Sequence, residues 1–109
     1  MTRVLLLGAF ALALASAASA AEIYGTVSEN GKPLPEGVAL KLECGQVSVS
    51  GKTDEFGSYS LKIAGAGECR LSLDYRGGSP SVNVTVYEKP SRYDLVVTDE
   101  KGKPGLRRK

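Results

Sequence analysis

The sequence predicts an all-β protein, a seven-stranded antiparallel β-sandwich with Greek-key connections. Two observations carry this prediction. Apolar and polar residues alternate in short runs, as in strands that bury one face, and turn residues separate these runs at the regular spacing of a sandwich. After the first twenty residues, no segment has a helical period of adequate length.

Each predicted strand is short and has one apolar side. In the fourth strand, Tyr59, Leu61 and Ile63 alternate with polar residues. Successive side chains of a strand point to opposite faces, so these three should lie on the buried side. Asn30 and Gly31 follow the first strand, and both residue types tolerate the positive φ of a tight turn. The seven strands are predicted at residues 23–27, 38–44, 46–52, 57–63, 68–75, 81–87 and 92–98.

The N-terminus has the pattern of a secretory signal peptide. Arg3 supplies a positive charge, residues 4–14 form a nearly unbroken apolar run, and residues 18–20 fit the small-x-small pattern that signal peptidase cleaves. A membrane anchor is the rival interpretation, but the run is shorter than the roughly 20 residues that span a bilayer. We therefore expect cleavage after Ala20, no transmembrane anchor and a periplasmic or extracellular location. The predicted organisation is a signal peptide at 1–20, a β-sandwich domain at 21–98 and a basic disordered tail at 99–109.

Charge excludes some partners for the folded part. Fourteen basic residues include Arg3, so thirteen remain against twelve acidic ones after cleavage. This near-neutral balance gives no indication of a nucleic-acid partner or a membrane surface.

The tail is basic and rich in Gly and Pro, which predicts disorder. It is either a solvated tail or a contact for an anionic envelope polymer or lipid head groups. Its basic residues are Lys101, Lys103, Arg107, Arg108 and Lys109.

Cys44 and Cys69 are the only cysteines in the chain. An even pair in a small secreted domain most often forms a disulfide. Each cysteine also lies in phase with an apolar face of its strand, so both sulfurs should point inward. A redox pair or metal thiolates are the alternatives, but the chain has no C-x-x-C spacing and no histidine to complete a zinc site. We predict a structural Cys44–Cys69 bridge.

Residues 53–61 (TDEFGSYSL) place two adjacent acidic residues in a turn before the fourth strand. Thr53 or Asp54 is expected to start the turn by accepting hydrogen bonds from backbone N–H groups. Gly57 is expected to take the left-handed position, and Tyr59 to enter the core. Catalytic carboxylates converge across a cleft, and a calcium loop has ligands at every second position. Neither pattern is present, so the turn is predicted to be structural.

Three short elements carry a family resemblance: Gly25-x-Val27, then Gly31-Lys32-Pro33-Leu34-Pro35 with Val38, and Thr53-Asp54-x-x-Gly57-x-Tyr59. In these elements the chain resembles the carboxypeptidase regulatory-like domain family. That family has a transthyretin-like, seven-stranded sandwich, also seen in collagen-adhesin B-type repeats. The resemblance implies an accessory, spacer or binding module, and some relatives bind carbohydrate or assemble surface structures.

The sequence argues against catalysis. The transthyretin-like branch includes a hydrolase of an oxidised purine, whose signature ends in Tyr-Arg-Gly-Ser. This chain has the similar residues 75–79 in a mid-chain turn context, but it contains no histidine, so the usual general base is missing. We expect no catalytic residue, no cofactor and no metal site. A histidine-independent hydrolase is the remote alternative.

The expected partner is an envelope protein or a glycan. Tyr24 and Tyr87 fall on the outward phase of their strands, where aromatic rings stack on sugars or fill a protein hot spot. A second candidate surface is the segment 87–94, which includes Arg92, although Arg92 shares a strand face with Asp94 and could simply pair with it. The alternative is a structural envelope protein that takes a partner's strand at an open sheet edge. The sequence indicates no oligomeric state.

Overall fold

The computed structural model describes residues 21–109, and every regular element in this range is a β-strand. The predicted signal peptide, residues 1–20, lies outside the described residues. Two sheets pack face to face in a sandwich-like arrangement, which confirms the all-β prediction. The strands are β1 Ala21–Glu29, β2 Lys32–Pro33, β3 Ala39–Cys44, β4 Val47–Lys52, β5 Ser58–Ile63, β6 Gly67–Asp74, β7 Ser81–Val86, β8 Ser91–Arg92, β9 Leu95–Glu100 and β10 Lys103–Arg108.

Strand β1 is the centre of the first sheet. Its first half pairs antiparallel with β5 and parallel with β8. Its second half pairs antiparallel with β2 and parallel with β9, while β10 lies antiparallel to β9 at one edge. The second sheet has the order β4-β3-β6-β7 and is antiparallel throughout. The chain therefore crosses between the sheets four times, before β3, before β5, before β6 and before β8.

The core lies between the two sheets and is built by period-two alternation. Buried side chains from β1, β5 and β9 face those from β3, β6 and β7. Burial of one such leucine or isoleucine stabilises the fold by about 1.5–3 kcal/mol. The core residues with the least exposure are Ile23, Val27, Leu40, Leu42, Leu61, Leu71, Leu73, Val84, Val86 and Leu95.

The described part of the chain differs from the predicted seven antiparallel strands in number and in direction. Six of the seven predicted runs overlap one strand each, the run at 92–98 overlaps both β8 and β9, and β2 and β10 lie outside every predicted run. Strands β8 and β9 also run parallel to β1. No hairpin forces the first and last parts of the chain to pair antiparallel, because the rest of the fold separates them in sequence.

The prediction of a disordered tail at 99–109 is wrong for residues 103–108, which form strand β10. Lys101 and Gly102 both have positive φ, +59° and +86°, as a tight hairpin turn requires. The amide of Gly102 also donates to the Asp99 carboxylate at 2.9 Å. Leu106 is then buried against the core, with 9% exposure. Burial of Leu106 and a complete ladder with β9 therefore order this segment, although its composition predicts disorder.

The predicted strand at 92–98 is interrupted. Tyr93 and Asp94 belong to neither β8 nor β9. On both sides of this break, each residue pairs with the β1 residue that lies 68 positions earlier in the chain: Ser91 with Ile23 before the break, and Leu95 with Val27 after it. Within the break, the Tyr93 amide donates to the Tyr24 carbonyl at 2.8 Å. The register is thus kept while two residues leave the regular ladder. Among residues 21–109 there is no helix with the length and apolarity needed to cross a membrane.

Candidate binding face

The turn after β4 is held by Asp54. Its Oδ1 accepts hydrogen bonds from the amides of Phe56 and Ser58, at 2.8 and 2.9 Å. Gly57 has a φ of +73°, and a Cβ there would meet Pro33 Cβ and the Val27 carbonyl oxygen at 2.9 Å each. Glycine is therefore required at position 57 for its conformation and for the close approach of the chain. Asp54 uses its carboxylate inside the turn, in the arrangement of a structural acceptor.

Thr53 has a different role from the one its sequence position suggested. It is 3% exposed, and its hydroxyl donates to the Pro35 carbonyl at 2.7 Å and accepts from the Val38 amide at 3.0 Å. Thr53 therefore fixes the connection between β2 and β3, while Asp54 alone starts the turn. The sequence analysis named Thr53 only as a turn residue and missed this role, because its partners are 15 and 18 positions away.

Cys44 and Cys69 form a disulfide, which confirms the predicted bridge. Glu43 opposes Arg70 in the β3–β6 ladder, so the next pair in register is the two cysteines, and their Cα atoms are 4.4 Å apart. The bond therefore joins neighbouring strands of the second sheet. In the chain-entropy model it stabilises the fold by about 3–4 kcal/mol. Disulfides persist in oxidising compartments, so this bond indicates a location outside the cytoplasm.

Tyr59 lies in the core, with 4% exposure, and connects three segments of the chain. Its hydroxyl donates to the Tyr93 carbonyl at 2.6 Å, and the Tyr93 hydroxyl donates to the Thr85 carbonyl at 2.5 Å. Burial of the Tyr59 ring, with the nearby Asp94 charge, raises the pKa of its hydroxyl well above the usual value. Tyr59 is therefore a neutral hydrogen-bond donor that fixes the backbone between β8 and β9.

One shallow depression lies on the outer face of the first sheet and includes two of the three predicted surface residues. Tyr24 and Arg92 are paired in the β1–β8 register, and both line this depression of about 360 Å³. The Tyr24 side chain is 37% exposed. We call the surface made by Tyr24, Thr26, Ser58, Ser60 and Arg92 the Tyr24 face; Glu22 borders it and accepts a 2.7 Å hydrogen bond from Ser60.

Asp94 holds Arg92 at the border of this face. The Arg92 Nε donates to both carboxylate oxygens of Asp94 at 3.1 Å, so the pairing suggested by their spacing is present. Oδ1 also accepts from the Thr26 amide at 3.0 Å, replacing the main-chain acceptor that the strand break removes. Burial alone would raise the pKa of Asp94, but the hydrogen bonds from Arg92 and Thr26 outweigh it and hold that pKa below its usual value. Only Nε of Arg92 is used in this pair.

Gly25 allows the strand break to lie against β1. A Cβ at this position would collide with the Tyr93 carbonyl oxygen and would lie 2.9 Å from Asp94 Oδ1. The chain at 93–94 therefore approaches β1 more closely than any residue with a side chain allows. Gly25 belongs to the first element of the family resemblance, and this contact is its physical role here.

A second depression, of about 500 Å³, lies beside the Tyr24 face and shares Arg92 with it. Arg108 and Lys109 line it, with Tyr93 and Asp94. The Arg108 guanidinium lies over the Tyr93 ring, 5.9 Å from its centre. We call Arg92, Arg108 and Lys109 the basic corner. Sequence reasoning assigned Arg108 and Lys109 to a disordered tail, and only the pairing of β10 with β9 brings them to Arg92.

Tyr87 is not part of this arrangement. It follows β7 in the second sheet, with 52% exposure, and does not line either depression. Within residues 21–109 no group of three or more His, Cys, Asp or Glu side chains is placed to hold a metal ion.

No protein-family model matches the sequence, and no curated protein matches it. Among solved structures, the fold is similar to part of a 9R-lipoxygenase from Cyanothece PCC8801, with a TM-score of 0.45 and 15% sequence identity. That match covers 72% of this chain and 16% of the lipoxygenase chain. The chain thus spans about a sixth of the length of the enzyme.

Proposed function

We propose that this protein is a non-catalytic binding module of the cell envelope and that its Tyr24 face takes a glycan. The observation that carries the proposal is the joint placement of Tyr24 and Arg92 in one shallow depression lined by hydroxyl groups. The exposed ring of Tyr24 offers a flat apolar surface of the kind that stacks on a sugar ring. Around it, hydroxyls and the guanidinium supply donors and acceptors for sugar hydroxyls.

The electrostatics of the site support binding rather than catalysis. A general acid at neutral pH needs a carboxyl group with a raised pKa. Two carboxyl groups lie at this face: Glu22 accepts a hydrogen bond from Ser60, and Asp94 has its pKa lowered by hydrogen bonds from Arg92 and Thr26 and is held in an ion pair with Arg92. A histidine-independent hydrolase remains the remote alternative, and hydrolysis of a bound glycan by the purified protein would establish it.

Membership of the carboxypeptidase regulatory-like family, with its transthyretin-like sandwich, is part of the proposal. It is supported by the order of the strands: after passing through β4 and β5, the chain returns so that β6 lies beside β3, as in a Greek key. We also propose cleavage after Ala20 and a periplasmic or extracellular location. The Cys44–Cys69 disulfide supports this location.

The test is binding to polysaccharide fractions purified from the producing cell's envelope. The protein is expressed from the full chain and purified as the cell processes it. We expect the wild-type protein to bind one fraction, and Tyr24→Ala to weaken that binding about ten-fold or more, as expected for loss of a stacking aromatic residue. Tyr87→Ala is the matched control, because Tyr87 is exposed but follows β7 of the other sheet. Equal loss in the two variants, or no binding by the wild type, would count against the proposal.

Strand addition is the second candidate function, and one observation favours it. Strand β7 is at an edge of its sheet and contains no proline, no lysine and no charged residue. The Leu73 amide donates to the Pro80 carbonyl, so the alternation of the ladder turns the main-chain groups of Ser81, Asn83 and Thr85 to the open edge. Of these groups, the Thr85 carbonyl already accepts from Tyr93.

The occupant proposed for this edge is an extended segment of another envelope protein. Its addition should protect the amides of Ser81 and Asn83 from hydrogen exchange. Asn83→Pro should abolish the association, because it removes a donor at the edge. Association without protection at these two amides would exclude the β7 edge as its site.

A further inference from the structure

We infer that the ligand of the Tyr24 face is an anionic glycan, whose carboxylate or phosphate groups bind the basic corner. This inference rests on the proposed function, since it extends the same surface past Arg92. The two depressions meet at that residue, which lines both. We place the next sugar residue of the same glycan at Arg92 and in the second depression, because both depressions include that arginine.

The balance of charge at the basic corner favours an anion. Three basic side chains line the second depression with one carboxylate, Asp94. That carboxylate is already occupied by the Arg92 Nε and by the amide and hydroxyl of Thr26. Because Arg92 uses only Nε in the pair, its two terminal nitrogens remain outside it. They have the geometry that binds a carboxylate or a phosphate through two oxygens.

The Arg108 side chain is exposed and contacts the ring of Tyr93. It lies on β10 next to β9, and its guanidinium is over the ring of Tyr93, whose hydroxyl is bonded to Thr85. Cation–π contact with an aromatic ring leaves the edge of the guanidinium available for hydrogen bonds. An arginine held in this way loses less conformational freedom on binding than a mobile one.

An anionic polysaccharide fits this surface better than an anionic membrane does. The cations lie beside an aromatic ring and the hydroxyls of Thr26, Ser58 and Ser60, which match the alternation of charge, ring face and hydroxyl along an acidic glycan. Membrane association through head groups depends on positive charge and does not require the hydroxyls of Thr26, Ser58 and Ser60.

The experiment compares matched ligands by calorimetry, with the protein purified as the cell processes it. The probes are an oligomer of galacturonic acid, its carboxyl-reduced neutral form of equal length, a glycerol-phosphate polymer, and phosphatidylglycerol vesicles. We expect the acidic oligomer to bind at least ten-fold more tightly than its neutral form, and this difference should shrink as salt is raised. The glycerol-phosphate polymer separates phosphate recognition from carboxylate recognition.

Two neighbouring arginines give a matched pair of variants. Arg108→Gln should weaken binding of the acidic probe about three- to five-fold, the size expected for one partly exposed charge pair, and leave the neutral probe unchanged. Arg107→Gln removes the same charge from the next residue, which lines a different depression with Glu29 and Arg76. It should leave both affinities nearly unchanged.

The outcomes separate the two proposals. Equal affinity for the acidic and neutral oligomers would overturn the anionic inference and leave the glycan-binding proposal standing. Acidic binding that survives Tyr24→Ala but is lost in Arg108→Gln would support the ion site and count against the stacking role of Tyr24. Binding to vesicles alone, equal effects of the two arginine variants, or no binding to any probe would overturn the inference.

Discussion

The hydroxyl of Tyr59 donates a 2.6 Å hydrogen bond to the main-chain carbonyl of Tyr93, thirty-four positions later in the chain. This contact joins the strand after the acidic turn to the break between β8 and β9. That break positions Asp94 and, through it, Arg92. The structural turn and the candidate binding face are therefore connected through one buried tyrosine.

Tyr59→Phe should lower the free energy of unfolding by about 1–2 kcal/mol, because the variant leaves the Tyr93 carbonyl without its buried donor. Urea denaturation measures this change. The control is Tyr87→Phe, which removes a hydroxyl from a side chain that is 52% exposed and should change stability very little. Equal stability of Tyr59→Phe and the wild type would show that this hydrogen bond contributes nothing net.

Replacing both cysteines, Cys44→Ser with Cys69→Ser, should lower the free energy of unfolding by about 2–4 kcal/mol. Reductant should destabilise the wild type and leave the double variant unchanged, because only the wild type has a bond to reduce. Thiol counting on the unreduced protein should detect no free thiol. Detection of two free thiols would show that the Cys44–Cys69 bond is absent.

Gly57→Ala should destabilise the protein more than Gly45→Ala does. Both glycines have positive φ, +73° and +64°, so both variants carry backbone strain of about 1–2 kcal/mol. A Cβ at position 57 also meets Pro33 and the Val27 carbonyl, whereas nothing lies within 4 Å of one at position 45. Equal unfolding midpoints for the two variants would show that steric contact at position 57 is relieved without loss of stability.

Acid should weaken the fold partly through Asp94. Its pKa is lowered in the folded state, so the unfolded state binds more protons as the pH falls. Its contribution is therefore complete above the ordinary value of 3.8 and is lost as the pH falls through the lowered pKa. Asp94→Asn should be less stable than the wild type at neutral pH and should lose less stability on acidification. Parallel stability curves for the two proteins below pH 5 would contradict this role.

The positions of β1, of β3 to β7 and of β9 were predictable because they depend on local alternation. Leu40 and Leu42, or Leu61 and Ile63, show their buried face without any knowledge of their partners. The cysteine pair was predictable for the same reason. The parallel pairing of β9 with β1 was not predictable, because it depends on contacts between segments that are far apart in the chain. The residue pattern of either segment alone does not identify its partner.

The grouping of Arg92, Arg108 and Lys109 in the basic corner was not predicted from the sequence. Gly, Pro and charge at residues 101–109 fit disorder, and Leu106 is the one large apolar residue among them. Residues 97–104 (VTDEKGKP) are similar to residues 27–33 (VSENGKP), and this similarity was the available signal. In both, a strand enters a turn with two positive φ values, at Asn30 and Gly31 and at Lys101 and Gly102. Interpreted as a second hairpin, this similarity would have predicted that Arg108 lies on a strand and not in a disordered tail.

The most direct test of the glycan-binding proposal is a map of where ligand contacts the protein. Protein labelled with ¹⁵N and purified as the cell processes it is titrated with size-fractionated glycans from its own envelope, and amide shifts are followed by NMR. We expect the largest amide shifts to cluster at Tyr24, Thr26, Ser58, Ser60 and Arg92. Shifts centred on Tyr87 or on strand β7, or no shift with any fraction, would contradict it.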